Sequence, residues 1–180
     1  MKYNEILEYW YSDKVSKQWF SSTPELDQEI KEKYESLWES GLNGELDGWK
    51  STAEGCLALI ILLDQFPLNM YRGQANSFES EKKAIEIALY AIDKGFDKKI
   101  AIDKLSFMYV PFMHSEKLEH QNLSVKLFLN NNLTNNLRFA EHHREIVKKF
   151  GRFPHRNQTL GRESTELEIE YLNSKEAFKG

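Results

Sequence analysis

Cys56–Leu63, with the sequence CLALIILL, is a run of eight consecutive apolar residues, the longest in the chain. A surface helix has one polar face, whereas a helix that is apolar on every side is buried on every side. We therefore predict that this run lies in a central helix from about Ser51 to Phe66, which Pro67 ends. The run is far shorter than the ~20 apolar residues that span a bilayer, so no transmembrane helix is predicted.

Helical periodicity recurs on both sides of the central helix, and no segment shows the alternation of a strand. We predict an all-α fold of seven to eight helices. Short links would pack them as antiparallel hairpins, either in a bundle or in a short array. The other predicted helices cover about residues 4–11, 24–41, 77–94, 100–109, 116–129, 134–150 and 165–173.

Several residues mark the ends of these helices. Thr23, followed by a proline, is typical of an N-cap, and Thr165 with Glu168 has the spacing of a capping box. Pro111 is predicted to end the helix that begins near residue 100. Trp19–Phe20 is predicted to be a short turn that places both aromatic rings in the core.

Length, charge and cysteine content restrict the class of protein. The 180 residues have an even composition, which favours a single all-helical domain over residues 1–180. A net charge of −4 argues against a nucleic-acid partner. The N-terminus MKYNEILEYW lacks the pattern of a secretory signal, so we expect a cytoplasmic protein without membrane attachment. The single cysteine excludes an internal disulfide and a cysteine-based metal site.

A cationic segment stands out in this acidic chain. Phe150–Arg162, FGRFPHRNQTLGR, contains three arginines and no acidic residue. With Lys148 and Lys149, the region carries five positive charges. Such a segment requires an anionic partner, which is either the protein's own carboxylates or an anionic ligand.

Three predicted helix ends combine a proline with polar groups. They are DQFPLNMYR at 64–72, YVPFMHSE at 109–116 and FGRFPHRN at 150–157. Helix ends and loops are where helical proteins build their sites, so we predict that the three ends meet. Asp64 would face the negative pole of the central helix and should need a cation, for which the candidates are Arg72, Arg152 and Arg156.

The candidate site residues follow from this arrangement. Arginines would clamp a phosphate or carboxylate, and a histidine or glutamate would move protons. The candidate catalytic residues are His114, Glu116 and His155. The candidate ligand-binding residues are Asp64, Arg72, His143, Arg152, Arg156 and Asn157.

A metal site is not predicted. Glu116 and His120 share a helix face at i and i+4, but no HExxH or HxH pattern supplies further ligands. His120 and His142 are expected to be structural or surface residues. The sequence indicates no particular cofactor.

The motifs DQFPLNMYRG, YVPFMHSE, FGRFPHRN and LGRESTELEIEYL resemble the bacterial family named domain of unknown function 924. The resemblance extends from about Ile6 to Leu172. It implies an all-helical, tetratricopeptide-like arrangement, and it implies no activity or catalytic residue. Leu68 stands where the family pattern has arginine, so a ligand contact made by that arginine does not carry over.

Three functional hypotheses remain open. The first is a site for an anionic small molecule, with hydrolytic or transfer chemistry as an extension. The second is a helical-repeat-like module that binds a protein or peptide without catalysis, with the terminal carboxylate of a peptide as one candidate contact. The third is a buried polar network in which the FGRFPHRN segment only holds helices together. The sequence does not decide whether the protein is an enzyme, and it permits a homo-oligomer without requiring one.

Overall fold

The computed structural model describes residues 3–178, and within that range every regular element is helical. The predicted all-α class is therefore confirmed. The α-helices are α1 (Tyr3–Trp10), α2 (Asp13–Ser16), α3 (Pro24–Leu42), α4 (Ala53–Ile60), α5 (Phe66–Met70), α6 (Glu81–Asp93), α7 (Ile102–His114), α8 (Leu118–Asn130), α9 (Thr134–Phe150) and α10 (Glu166–Leu172). Short 3₁₀ segments lie at Asp47–Ser51, Ala75–Phe78, Asp97–Lys99 and Pro154–Arg156, and a π-helical segment lies at Ile61–Gln65.

The described chain divides into two compact units. The first unit contains residues up to 72 and residues 76–111, and the second contains residues 73–75 and those from 112 onward. Each unit has buried apolar residues of its own, which in the second include Ile146, Val147 and Phe153.

The centre of the first unit is α4 together with the π-helical segment. Every residue from Cys56 to Leu63 is at most 1% exposed. Helices α1 and α6 contact α4, and α3 and α6 contact the π-helical segment. Residues 53–70 are long and apolar enough to cross a membrane by length and composition, but 83% of them are buried, as in the core helix of a soluble protein. The prediction of a covered central helix is confirmed.

The prediction that Pro67 ends this helix is wrong. The helical path continues through the π-helical segment, where the Phe66 N–H bonds to the Ile61 carbonyl, and on into α5. Pro67 has no N–H to offer the Leu63 carbonyl four residues earlier. The buried Ser80 hydroxyl donates to that carbonyl instead. A donor from another part of the first unit thus makes the proline tolerable.

Two further expectations are also wrong. Pro111 lies inside α7 and not at its end. Met108 and Tyr109 before it and Phe112 after it are fully buried, and their burial offsets the loss of one helical hydrogen bond. Phe20 is 89% exposed, so it is not a core residue.

The predicted helix caps are confirmed where the local pattern is complete. The Thr23 hydroxyl accepts from the Leu26 N–H at 3.3 Å at the start of α3. Thr165 and Glu168 form the capping box of α10. Gly151 adopts φ 72° after α9, a left-handed conformation that favours glycine.

Helices α8 and α9 form a hairpin in the second unit. They contact each other, and the link of three residues between them makes them antiparallel. The end of α9 leads directly into the FGRFPHRN segment, so the hairpin positions the cationic residues of the second unit.

Candidate functional site

The candidate residues are distributed over both units. Asp64 and Arg72 belong to the first unit. The second unit contains the remaining candidates, namely His114, Glu116, His143, Arg152, His155, Arg156 and Asn157. The geometry of the second unit therefore carries most of the predicted chemistry.

In the first unit, Arg72 binds Asp27 in α3. Its Nε lies 2.8 Å from Asp27 Oδ2, and Asn69 Nδ2 donates to Asp27 Oδ1 at 2.7 Å. Burial raises the pKa of Asp27, but the hydrogen bonds from Arg72 and Asn69 outweigh that effect and lower it. Asp64, only 4% exposed, accepts a hydrogen bond from the Gln65 amide. Asp27 was not predicted from the sequence as the partner of Arg72.

Glu116 is bound by the end of the cationic segment. Both terminal nitrogens of Arg162 donate to its carboxylate, at 2.7 and 2.9 Å, and the Phe153 N–H donates at 2.8 Å. Burial raises the pKa of Glu116, but these donors more than compensate and lower it. Glu116 is therefore held ionised, a state unsuited to a general acid. Arg162 was not among the predicted site residues.

Arg152 is bound to Glu168 of α10. Its Nε and Nη2 donate to the carboxylate at 2.7 and 2.8 Å. Glu168 is 2% exposed and also accepts from the Thr165 N–H at 2.7 Å and from Asn157 Nδ2 at 3.3 Å. Arg152 and the Thr165 N–H lower the pKa of Glu168 to about 2. This ion pair ties α10 to the cationic segment.

A histidine cluster lies beside these ion pairs. We define it as His142, His143 and His155, whose rings surround Phe178 with centroid distances of 6.2, 4.4 and 5.0 Å. Phe153 packs against two of them, at 5.5 Å from His143 and 5.6 Å from His155. The cluster brings together two of the predicted histidines and His142, which was expected to be a structural or surface residue.

Arg156 adjoins the histidine cluster through Phe153. Its guanidinium carbon lies 4.7 Å from the centroid of the Phe153 ring, and its Nη2 donates to the His114 carbonyl at 2.8 Å. Arg156 is 6% exposed. The side chain thus places a cation beside the cluster in a largely dry environment.

Two histidines of the cluster, the buried His143 and the partly buried His155, are neutral at pH 7. Burial lowers the pKa of His143 to about 3. Burial and the positive charge of Arg156 lower the pKa of His155 to about 4. His143 Nδ1 lies 2.7 Å from the Phe139 carbonyl, which can only accept, so Nδ1 carries the proton and Nε2 has the lone pair.

The depressed pKa of His143 predicts a pH-dependent stability. The unfolded chain takes up this proton near the ordinary pKa of 6.5, and the folded chain only near pH 3, so stability falls as the pH drops below 6.5. Between pH 7 and pH 5 we expect His143 to account for a loss of about 2 kcal/mol. Denaturant unfolding at both pH values should show that His143→Gln removes this part of the loss.

The control for this prediction is His142→Gln, at an exposed neighbour, which should leave the loss unchanged. Equal pH dependence in the parent and His143→Gln would contradict the assignment.

Ser115 and His120 form a pair that the sequence analysis did not predict. Ser115 Oγ lies 2.8 Å from His120 Nδ1 and accepts from the Lys117 N–H at 3.2 Å. Ser115 is 3% exposed. The buried hydroxyl therefore stabilises the start of α8.

Glu116 and His120 have different partners, Arg162 and Ser115. They therefore do not act as a pair of ligands in this geometry. Among residues 3–178, no group of three or more His, Cys, Asp or Glu side chains is arranged to hold a metal ion.

Comparisons with known proteins place the chain among proteins without an assigned function. The model of the family described as "Bacterial protein of unknown function (DUF924)" matches residues 6–176. Among solved structures, the protein of unknown function ATU0120 from Agrobacterium tumefaciens is similar, with 37% sequence identity and a TM-score of 0.90. The similarity covers 95% of this chain and 96% of that chain. No curated protein matches the chain.

Proposed function

Because this chain belongs to the DUF924 family of bacterial proteins, whose description names no activity, we propose a function from the residues of its second unit. The proposed function is the binding of a small anionic molecule by Arg156, with His143 and His155 beside it. His114 belongs to the same surroundings, because its backbone carbonyl accepts a hydrogen bond from Arg156.

The observation that supports this proposal is the juxtaposition of a buried guanidinium with neutral imidazoles. The planar fork of an arginine matches a carboxylate or a phosphate with two parallel hydrogen bonds. Such bonds are stronger in a dry environment than in water. Arg156 and His155 are adjacent in the chain, and Phe153 packs against both.

The other arginines of the cationic segment have a different role in the proposal. Arg152 binds Glu168, and Arg162 binds Glu116. These two pairs correspond to the hypothesis of a polar network that holds helices together. In the proposal Arg156 is the anchor for the anion because its guanidinium lies beside Phe153 and the histidine cluster, and Arg152 and Asn157 act by positioning the segment.

The neutral histidines also allow us to propose a catalytic role. An imidazole that is unprotonated at pH 7 can accept a proton from a bound nucleophile or from water. We assign that role to His155, which is only partly buried, in a hydrolytic or transfer reaction. The binding proposal does not depend on this extension.

The test uses inorganic phosphate and acetate as probes. At constant ionic strength, each anion should raise the melting temperature of the parent protein in a saturable manner, and calorimetry should give a dissociation constant. Arg156→Gln should weaken binding by roughly 10- to 100-fold, the effect of losing one charge-assisted hydrogen bond. Arg138→Gln is the matched control, because Arg138 is an exposed arginine of the same unit.

Arg156→Lys keeps the proposal testable if Arg156→Gln does not fold. It retains the charge and loses the fork, so it should still weaken binding. Two results would overturn the proposal. One is a parent protein that responds to neither anion beyond an equal concentration of sodium chloride. The other is binding that persists unchanged in both Arg156 variants.

Two features of the sequence analysis stay proposals. We propose a cytoplasmic location. We also propose the tetratricopeptide-like arrangement that the family resemblance implies. The peptide-binding hypothesis has no specific contact in its favour.

A further inference from the structure

We propose that Phe178 occupies the part of the anion site that receives an aromatic ring, so that the site takes a carboxylate or phosphate attached to an aromatic group. This inference rests on the proposed function, since it names the class of anion that Arg156 would bind. In this arrangement the Phe178 ring stands in for the ring of the ligand and competes with it.

The geometry around Phe178 is that of a ring-binding slot. Its ring meets His143 at an interplanar angle of 62° and His155 at 79°, both edge-on. Edge-to-face packing is the favourable arrangement for aromatic pairs, and it is specific to flat rings. His155 also borders Phe153, whose ring the Arg156 guanidinium contacts. The ring slot and the Arg156 guanidinium therefore lie close together, and Phe153 and His155 belong to the surroundings of both.

The segment that carries Phe178 is weakly held. Helix α10 ends at Leu172, and Phe178 lies beyond it in a stretch without regular secondary structure. The Phe178 N–H donates to the Tyr171 hydroxyl at 2.9 Å, and the Ala177 N–H reaches the Ser174 carbonyl only at 3.4 Å. Few backbone bonds need to break for the ring to leave, as is typical of elements that open locally.

The Phe178 ring, which covers the histidines, also explains why His143 and His155 are neutral. Burial is the main cause of the low pKa values of His143 and His155. An aromatic ligand that replaced Phe178 would keep both imidazoles dry and neutral, whereas a small anion such as acetate would not replace the ring. The slot therefore favours ring-bearing anions over small ones.

The experiment compares benzoate with acetate in the parent and in Phe178→Ala. In the parent, benzoate should bind more tightly than acetate. In Phe178→Ala, the competitor is gone, so the dissociation constant of benzoate should fall by about tenfold, and that of acetate should change by less than about threefold. Phe20→Ala is the matched control, because it removes a phenylalanine ring that is 89% exposed in the first unit.

Phe178→Leu serves if the alanine variant is unstable, because it retains apolar volume without a flat ring. A second readout is the parent protein's own Phe178 ring resonances, which should shift with benzoate and not with acetate. If acetate and phosphate bind but the dissociation constant of benzoate does not fall in either Phe178 variant, this inference fails and the proposal of an anion site stands. If none of the anions binds to the parent or to the variants, the proposed function and the inference both fail.

Discussion

Gly55→Ala is expected to lower the free energy of unfolding by at least about 3 kcal/mol. A Cβ atom at this position would lie 2.0 Å from the Trp49 backbone oxygen and 2.8 Å from Thr52 Oγ1. The first contact is with backbone, which cannot move aside as a flexible side chain can. Overpacking that forces side chains and backbone to shift costs about 1–3 kcal/mol and occasionally more, and a contact as short as this one belongs at the upper end. This cost exceeds the ~1 kcal/mol by which alanine is the better helix former.

The close approach at Gly55 is part of how the central helix begins. Thr52 is the N-cap of α4, and its hydroxyl accepts from the Gly55 N–H at 3.0 Å. The preceding 3₁₀ segment, Asp47–Ser51, brings the Trp49 carbonyl against the first turn. A shift of either element would disturb the helix on which the first unit is built.

Gly48→Ala is the matched control for this prediction. Gly48 lies in the same 3₁₀ segment, and a Cβ there would have no neighbour within 4 Å. We expect its free energy of unfolding to stay within about 0.5 kcal/mol of the parent value. Denaturant unfolding followed by circular dichroism measures both variants. If the two substitutions have the same effect, the contact with Trp49 is not what requires glycine.

The fold was predictable from sequence where the signal is local. The apolar run Cys56–Leu63 identifies a covered helix because a helix that is apolar all round has no face for water. The capping box of Thr165 and Glu168 is likewise complete within four residues. Pro67 could not be interpreted in this way, because its tolerance depends on Ser80, whose hydroxyl bonds to a carbonyl 17 residues away. The tetratricopeptide-like arrangement stays a prediction.

The candidate site, like the fold, was predictable where the signal is local and not where it depends on residues far apart in the sequence. Composition alone identifies the cationic segment, because charge is visible without a structure. Its carboxylate partners are not visible, since Arg152 binds 16 residues away and Arg162 binds 46 residues away. The chain has 28 acidic residues, and no spacing rule selects Glu168 or Glu116 among them. Phe178 has no motif of its own, so its place among the histidines could be found only in three dimensions.

Glu168→Gln is expected to cost about 3 kcal/mol of folding free energy. The carboxylate is 2% exposed and accepts two hydrogen bonds from Arg152. An amide cannot accept from every one of these donors, and its own N–H groups would face the guanidinium. Loss of one partner from a buried ion pair costs roughly 3–5 kcal/mol, and the partial exposure of Arg152 places this pair at the lower end. Denaturant unfolding at pH 7 measures the loss.

The pH dependence of the same variant shows whether the loss of stability comes from the missing carboxylate charge or from altered packing. The pKa of Glu168 is about 2 in the folded protein and near its ordinary 4.5 in the unfolded chain. Its contribution is therefore complete above pH 4.5 and is lost as the pH falls towards 2. The difference in unfolding free energy between the parent and Glu168→Gln should shrink over that range, whereas a difference that stayed constant would assign the loss to packing.

The control variant is Glu170→Gln, at an exposed position of α10, and its stability should resemble that of the parent throughout. A variant at Glu168 that is as stable as the Glu170 variant at pH 7 would mean that the ion pair does not hold α10 to the cationic segment.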